Sequence, residues 1–198
     1  MKLKIGFIGL GLIGGSIAKA IRQYYPEYEI VAFDKNKETL ALATQESIID
    51  VAATTIDDNF HHCSYIFLCA PVSYNTAYLK QIKGYLHDGC ILTDVGSVKT
   101  NIHREVEALG IEPYFIGGHP MAGSEKSGYS NAKAMLIENA YYVLTPTSKV
   151  PQEKIEGKSC NQVQMLMDIS KAMDSVNNSF QFFKIHSSVN CLNRVRIC

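Results

Sequence analysis

The sequence predicts an α/β fold, a doubly wound and mainly parallel sheet with helices on both faces. Three observations carry that prediction. Short apolar runs alternate with stretches of helical period along most of the chain. The run Tyr65-Ile66-Phe67-Leu68-Cys69-Ala70 is continuously apolar rather than alternating, as a strand covered on both faces requires. The first run, Lys4-Ile5-Gly6-Phe7-Ile8, passes directly into the glycine turn Gly9-Leu10-Gly11-Leu12-Ile13-Gly14-Gly15 and then a periodic segment.

That turn has the spacing G-x-G-x-x-G between a strand and a helix. In a dinucleotide-binding, Rossmann-type sheet the first glycine permits the tight turn and the second admits a pyrophosphate to the backbone. The third lets the helix pack on the strand. The helix start adds free N–H groups and a positive dipole end. Gly9, Gly11, Leu12, Ile13 and Gly14 are therefore candidate cofactor contacts. A helix over 16–25 has Ile17, Ala18, Ala20 and Ile21 on its apolar face and stops at Pro26. The run 29–34 is a second buried strand ending in Asp34, 20 residues beyond Gly14. A carboxylate there accepts hydrogen bonds from both hydroxyls of an adenosine ribose and repels a 2′-phosphate. The expected cofactor is NAD rather than NADP, and Lys35 and Lys37 leave that discrimination incomplete.

A second helix is expected over 37–45 and a short strand within 47–55. The strand at 65–71 stops at Pro71, and Ala70 and Pro71 lie where the nicotinamide-side ribose passes in such a fold. A helix over 73–86 and a strand over 90–94 follow. Asp94-Val95-Gly96-Ser97-Val98-Lys99 then leads into a helix that runs to Leu109. Ser97 is suited to cap that helix. It also sits at the carboxyl end of a parallel strand, where open α/β sheets bind ligands. A sixth strand is expected over 113–117. The stretch 117–128 has four glycines in twelve residues and a His119-Pro120 pair, so neither helix nor strand is expected there. A loop so rich in donors and acceptors at a strand's carboxyl end is a candidate site, with His119 its titratable group. A further strand over 140–146 ends at Pro146.

Composition narrows the classes. Lys+Arg and Asp+Glu both number 19, so a nucleic-acid or membrane-surface footprint is not expected. The N-terminal apolar stretch is broken by glycines and lacks a small-residue cleavage site, so it reads as a strand rather than a signal peptide. No apolar run approaches the ~18 residues of a membrane span. The six cysteines form no C-x-x-C pair, which favours reduced, buried thiols over a zinc site and a cytoplasmic location.

Three motifs together resemble prephenate dehydrogenase, within the prephenate/arogenate dehydrogenase family. They are the glycine turn through Ser16, Asp94-Val95-Gly96-Ser97-Val98-Lys99, and Gly118-His119-Pro120-Met121-Ala122-Gly123-Ser124-Glu125. The likeness covers about Lys2 through Pro146 and extends faintly through a helix around 163–173. It implies NAD(P)-dependent oxidation of prephenate to 4-hydroxyphenylpyruvate with loss of carbon dioxide, in tyrosine biosynthesis. In that reading His119 is the base that takes the substrate's hydroxyl proton. Ser97 holds His119 and touches substrate and nicotinamide. Ser124 and Glu125 border the substrate pocket. A histidine near its reference pKa of ~6.5 suits the task at neutral pH.

The expected organisation is an NAD-binding domain over 1–175 and a divergent tail over 176–198. From about Val176 the residues turn Asn- and Ser-rich, and a last strand is expected over 179–185. The resemblance further implies a homodimerising helical domain, absent here, that supplies substrate-carboxylate ligands. The expectation is a truncated or interrupted chain whose turnover is weak or lost. Two rival readings stand beside it. One is another β-hydroxyacid or imine-reductase type dehydrogenase, whose members lack the His-Pro-Met-Ala-Gly loop. The other is a non-catalytic NAD-binding sensor.

Overall fold

The computed structural model describes residues 3–137, 140 and 142–151. The expected helix at 163–173, the strand at 179–185 and the boundary at 175/176 lie outside the described residues.

Five strands form one parallel sheet: β1 (Lys4–Ile8), β2 (Glu29–Phe33), β3 (Val51–Ala53), β4 (Tyr65–Leu68) and β5 (Ile91–Asp94), in the order β3-β2-β1-β4-β5. Side chains alternate across it. Ile5, Phe7, Ile30, Ala32, Tyr65, Phe67 and Ile91 enter one core, under helices α1 (Leu12–Tyr24) and α2 (Lys37–Gln45). Ile8, Val31, Ile66, Leu68 and Leu92 enter the other, under α3 (Asn75–Ile82) and α4 (Thr100–Leu109). Both faces are covered, which is why these strands read as continuous apolar runs. Phe7 and Phe67 face each other across β1 and β4 in register, their rings stacked at 5.0 Å and both fully buried. Truncating either to alanine costs about 3–5 kcal/mol in such a setting.

The chain reverses direction across the sheet between β1 and β4. The connections that leave the carboxyl ends of those neighbours go to opposite faces, β1 to α1 and β4 to α3, and leave a crevice between them, as at any topological switch point.

Three expectations need correction. The expected sixth strand at 113–117 is displaced: Glu112–Tyr114 is a 3-10 turn, and β6 runs Ile116–Pro120. Its partner is not the parallel sheet but β7 (Tyr142–Pro146), in an antiparallel two-stranded sheet, with one parallel bridge, Leu92 to Phe115, reaching β5. The start of the 117–128 stretch is therefore strand, against the glycine count. Gly117 and Gly118 serve packing there. A Cβ on Gly117 would collide with Thr145 Oγ1, and one on Gly118 would lie 2.7 Å from both Asp94 O and Tyr142 Oη. Finally, Ser97 does not cap α4: the N-cap is Lys99, without a side-chain cap. Smaller shifts include an α1 that begins inside the glycine turn and an expected 73–86 helix that splits into α3 flanked by 3-10 turns.

Candidate functional site

The glycine turn is built from main-chain contacts that exclude side chains. Gly9 has φ +97°, its N–H donates to Phe33 O at 2.8 Å, and a Cβ there would lie 2.8 Å from Ala70 N. Gly14 packs against Gly9 O and Cys69, whose Cβ would be 2.9 Å away from an added methyl. Gly11 is different: a Cβ there would meet nothing within 4 Å. The space above Gly11 is open, and α1 starts beside it with no side-chain cap, so its first N–H groups remain available.

Asp34, just past β2, closes the turn from the other side. Its Oδ2 accepts from Leu10 N–H at 2.7 Å and its Oδ1 from Asn36 N–H at 2.8 Å. The carboxylate thus holds the glycine turn to the end of β2.

These residues face a cavity of about 570 Å³ at the carboxyl ends of the strands. Gly9, Gly11, Leu12, Ile13, Asp34, Ala70 and Pro71 line it. Gly14 does not, being buried in the turn's packing. Phe33, Lys35, Cys69, Tyr74, Tyr78 and Val95 complete the near walls. The Lys35 ammonium lies 3.6 Å from the Tyr74 ring centroid, a cation–π contact at one rim.

The opposite wall is Lys126, Ser127 and Gly128. Those residues reach the glycine turn because the segment that follows them is fastened to the end of α2 and to α1. Tyr129 Oη donates to Glu46 Oε2 at 2.8 Å, and Lys133 N–H donates to Ser16 Oγ at 3.0 Å. Gly15 makes room: an added Cβ would lie 2.7 Å from the Tyr129 ring and 2.8 Å from Ala132 Cβ. Ser124 and Glu125 are exposed in this loop and do not line the cavity. Ser124 Oγ accepts from Lys126 N–H at 3.1 Å.

His119 is half-buried on β6 opposite Val143, and Ser97 is exposed on the β5–α4 loop. Neither lines the cavity, but the main chain of Val95, which does, lies beside the His119 ring and favours its charged form. Burial dominates, with the Lys99 cation acting in the same sense, and holds the His119 pKa below its ordinary value. Val95 and Asp94 oppose. The Nδ1 atom is buried and has no hydrogen-bond partner among the described residues.

Beneath His119 lies a group that motif reading passed over. Lys99, 5% exposed, places its ammonium 2.7 and 2.6 Å from the two oxygens of Asp94, itself 2% exposed, and within hydrogen-bond reach of Gly118 O. Burial pulls the Lys99 pKa down and Asp94 opposes it. The Tyr142 hydroxyl is buried against this group, its pKa raised by burial and then by Cys69 and Asp94. The signal in the sequence was the pair of charges in an otherwise apolar stretch, five residues apart. Charged residues are seldom fully buried unless paired. Among the described residues, no group of three or more His, Cys, Asp or Glu is placed to hold a metal ion, and no helix is long and apolar enough to cross a membrane.

Residues 17–168 match the family described as prephenate dehydrogenase, nucleotide-binding domain. The chain is 43% identical over 157 residues to the prephenate dehydrogenase of Lactococcus lactis subsp. cremoris, covering 78% of this chain and 44% of that protein. It superposes with a TM-score of 0.75 and 28% identity on the crystal structure of prephenate dehydrogenase from Aquifex aeolicus in complex with hydroxyphenyl propionate and NAD+, covering 87% of this chain and 58% of that one. For Synechocystis arogenate dehydrogenase the TM-score is 0.75 with 31% identity, over 93% and 59% of the two chains. The chain thus spans about half the length of the curated relative it matches. A parallel sheet with a glycine turn at its switch point, and a family match over most of the chain, lead to one conclusion: this chain belongs to the prephenate dehydrogenase family and carries its nucleotide-binding domain.

Proposed function

We propose that this chain binds NAD and serves the oxidative decarboxylation of prephenate to 4-hydroxyphenylpyruvate. The observation that carries the reading is the cavity at the switch point, floored by Gly11 and closed by the Asp34–Leu10 hydrogen bond. The residues fit a dinucleotide. The open space over Gly11 and the uncapped start of α1 suit a pyrophosphate, and Asp34 at the end of β2 suits a ribose. Ala70 and Pro71 would flank the nicotinamide-side ribose.

When bound, the nicotinamide supplies the hydride acceptor. His119 takes the hydroxyl proton as hydride leaves the carbinol carbon. A ring held neutral by burial and by Lys99 is ready to accept that proton near pH 7. The ring C–CO2 bond then breaks, its electron pair enters the ring, and the new oxo group recovers a proton as the phenol. Ser97, on the loop after β5, is assigned to hold His119, and Ser124 and Glu125 to border the substrate. Two relatives bear the names prephenate and arogenate dehydrogenase, and either substrate presents the same carbinol to His119.

The test is NADH absorbance with NAD and either prephenate or arogenate, alongside NAD affinity by calorimetry. Turnover by the chain that His119→Asn abolishes, with NAD affinity kept, is the expected outcome. Activity surviving that substitution would remove His119 from the chemistry. Binding without turnover on either substrate would leave only the nucleotide-binding half of the proposal.

A further inference from the structure

Lys99 and Asp94 have no role in the chemistry just described, yet they occupy the junction on which His119 depends. Past the bridge between Leu92 and Phe115, no main-chain ladder joins β5 to β6. The two side chains take its place. Lys99 Nζ donates to Gly118 O, and Asp94 Oδ1 accepts from Gly118 N–H at 3.2 Å. Both main-chain groups of Gly118 are thus held by the pair. Asp94 Oδ2 also accepts from Gly96 N–H at 3.0 Å, which fixes the loop carrying Ser97. All three ammonium protons of Lys99 have an acceptor, two on Asp94 and one on Gly118.

We infer that Lys99, held by Asp94, is a positioning residue for His119: by gripping the Gly118 main chain it sets β6 against the Ser97 loop and so places the His119 ring beside Val95 at the cavity edge. The residue following Gly118 is His119 itself, so a shift of β6 is a shift of the ring. The fit at Gly118 is close, with Asp94 O and Tyr142 Oη each 2.7 Å from where a Cβ would stand. The pair is also electrical. The charged groups that act on the ring are Asp94, at the end of β5, and Lys99, at the N-cap of α4, and the same two act on His103 of α4. Of these, Lys99 opposes protonation of His119 and Asp94 favours it.

This inference rests on the dehydrogenase reading for its kinetic arm only; a second arm is independent of turnover. In the whole chain with 13C-labelled histidines, the His119 titration midpoint is followed by NMR in the wild type and in Lys99→Met. The kinetic arm measures NADH formation from prephenate, with NAD affinity alongside. A raised midpoint is expected in Lys99→Met, because the opposing cation is gone while Asp94 remains. Turnover should fall roughly 10²-fold, the cost of an ångström-scale misplacement, with NAD affinity unchanged. Lys99→Met/Asp94→Asn removes the unpaired carboxylate and covers the case in which the single variant does not fold. It should keep a native melting temperature and the same loss of turnover. An unmoved midpoint in Lys99→Met, or full turnover in the double variant, would overturn the positioning role. A wild-type chain that makes no NADH would instead sink the dehydrogenase reading, and the NMR midpoint then decides the inference alone.

Discussion

The Asp34 carboxylate and the Leu10 amide are 2.7 Å apart, so the same group suited to a ribose also holds the glycine turn in shape. Removing the carboxylate therefore acts twice. In Asp34→Ala, Leu10 and Asn36 both lose their acceptor. Hydrogen bonds to a charged group are worth about 1.5–3 kcal/mol, so NAD affinity should weaken roughly 10- to 100-fold by calorimetry. An affinity equal to the wild type would remove Asp34 from the binding site.

Two glycines of the same motif should separate binding from folding. Gly14→Ala drives a methyl into Gly9 O and Cys69, and should cost about 1–3 kcal/mol in urea unfolding. Gly11→Ala meets nothing within 4 Å and should leave the unfolding curve in place, while the methyl obstructs the approach of a pyrophosphate. If Gly11→Ala retains full NAD affinity, the phosphates do not lie over this turn.

His119 and His103 should both penalise acid. Burial lowers each pKa in the fold, with Lys99 adding to the effect and Asp94 opposing it at both. The unfolded chain binds a proton at ~6.5 and the folded chain only at lower pH. Their contribution to stability is therefore complete above ~6.5 and is lost as pH falls from there through the folded values. His103→Asn should flatten that part of the stability profile. The rate of NADH formation should show its acid limb below ~6.5, displaced by His119, and a limb above that value would contradict the assignment of His119 as base.

The described thiols should be unreactive in the native state. Burial pushes the Cys63 thiol up to about 12 and raises Cys69 further, Asp94 adding to the effect at Cys69. Iodoacetamide at pH 8 should leave the peptides containing Cys63 and Cys69 unlabelled until denaturant is added, as read by mass spectrometry. Protection of Cys69 on NAD binding alone would instead show that its sulfur is open to the cavity.

The sequence by itself determined the parallel sheet, because a strand buried on both faces must be continuously apolar and a strand-turn-helix leaves its glycines at fixed spacing. It likewise pointed to Asp34, Ala70 and Pro71 meeting the glycine turn at one cavity, since each follows the carboxyl end of a parallel strand on the same edge. Only the tertiary structure decided the rest. Glycine reads as a breaker in a local pattern, yet Gly117 and Gly118 lie in a strand because β7, Tyr142 and Asp94 press too close for any side chain. The far cavity wall exists because Tyr129 reaches Glu46, a contact between residues 83 apart in the chain that no local period encodes. Lys99 in turn reads as a surface charge near a helix start, and becomes a buried clamp only where the end of β5 and β6 meet, since burying an ammonium requires acceptors that the fold alone can bring together.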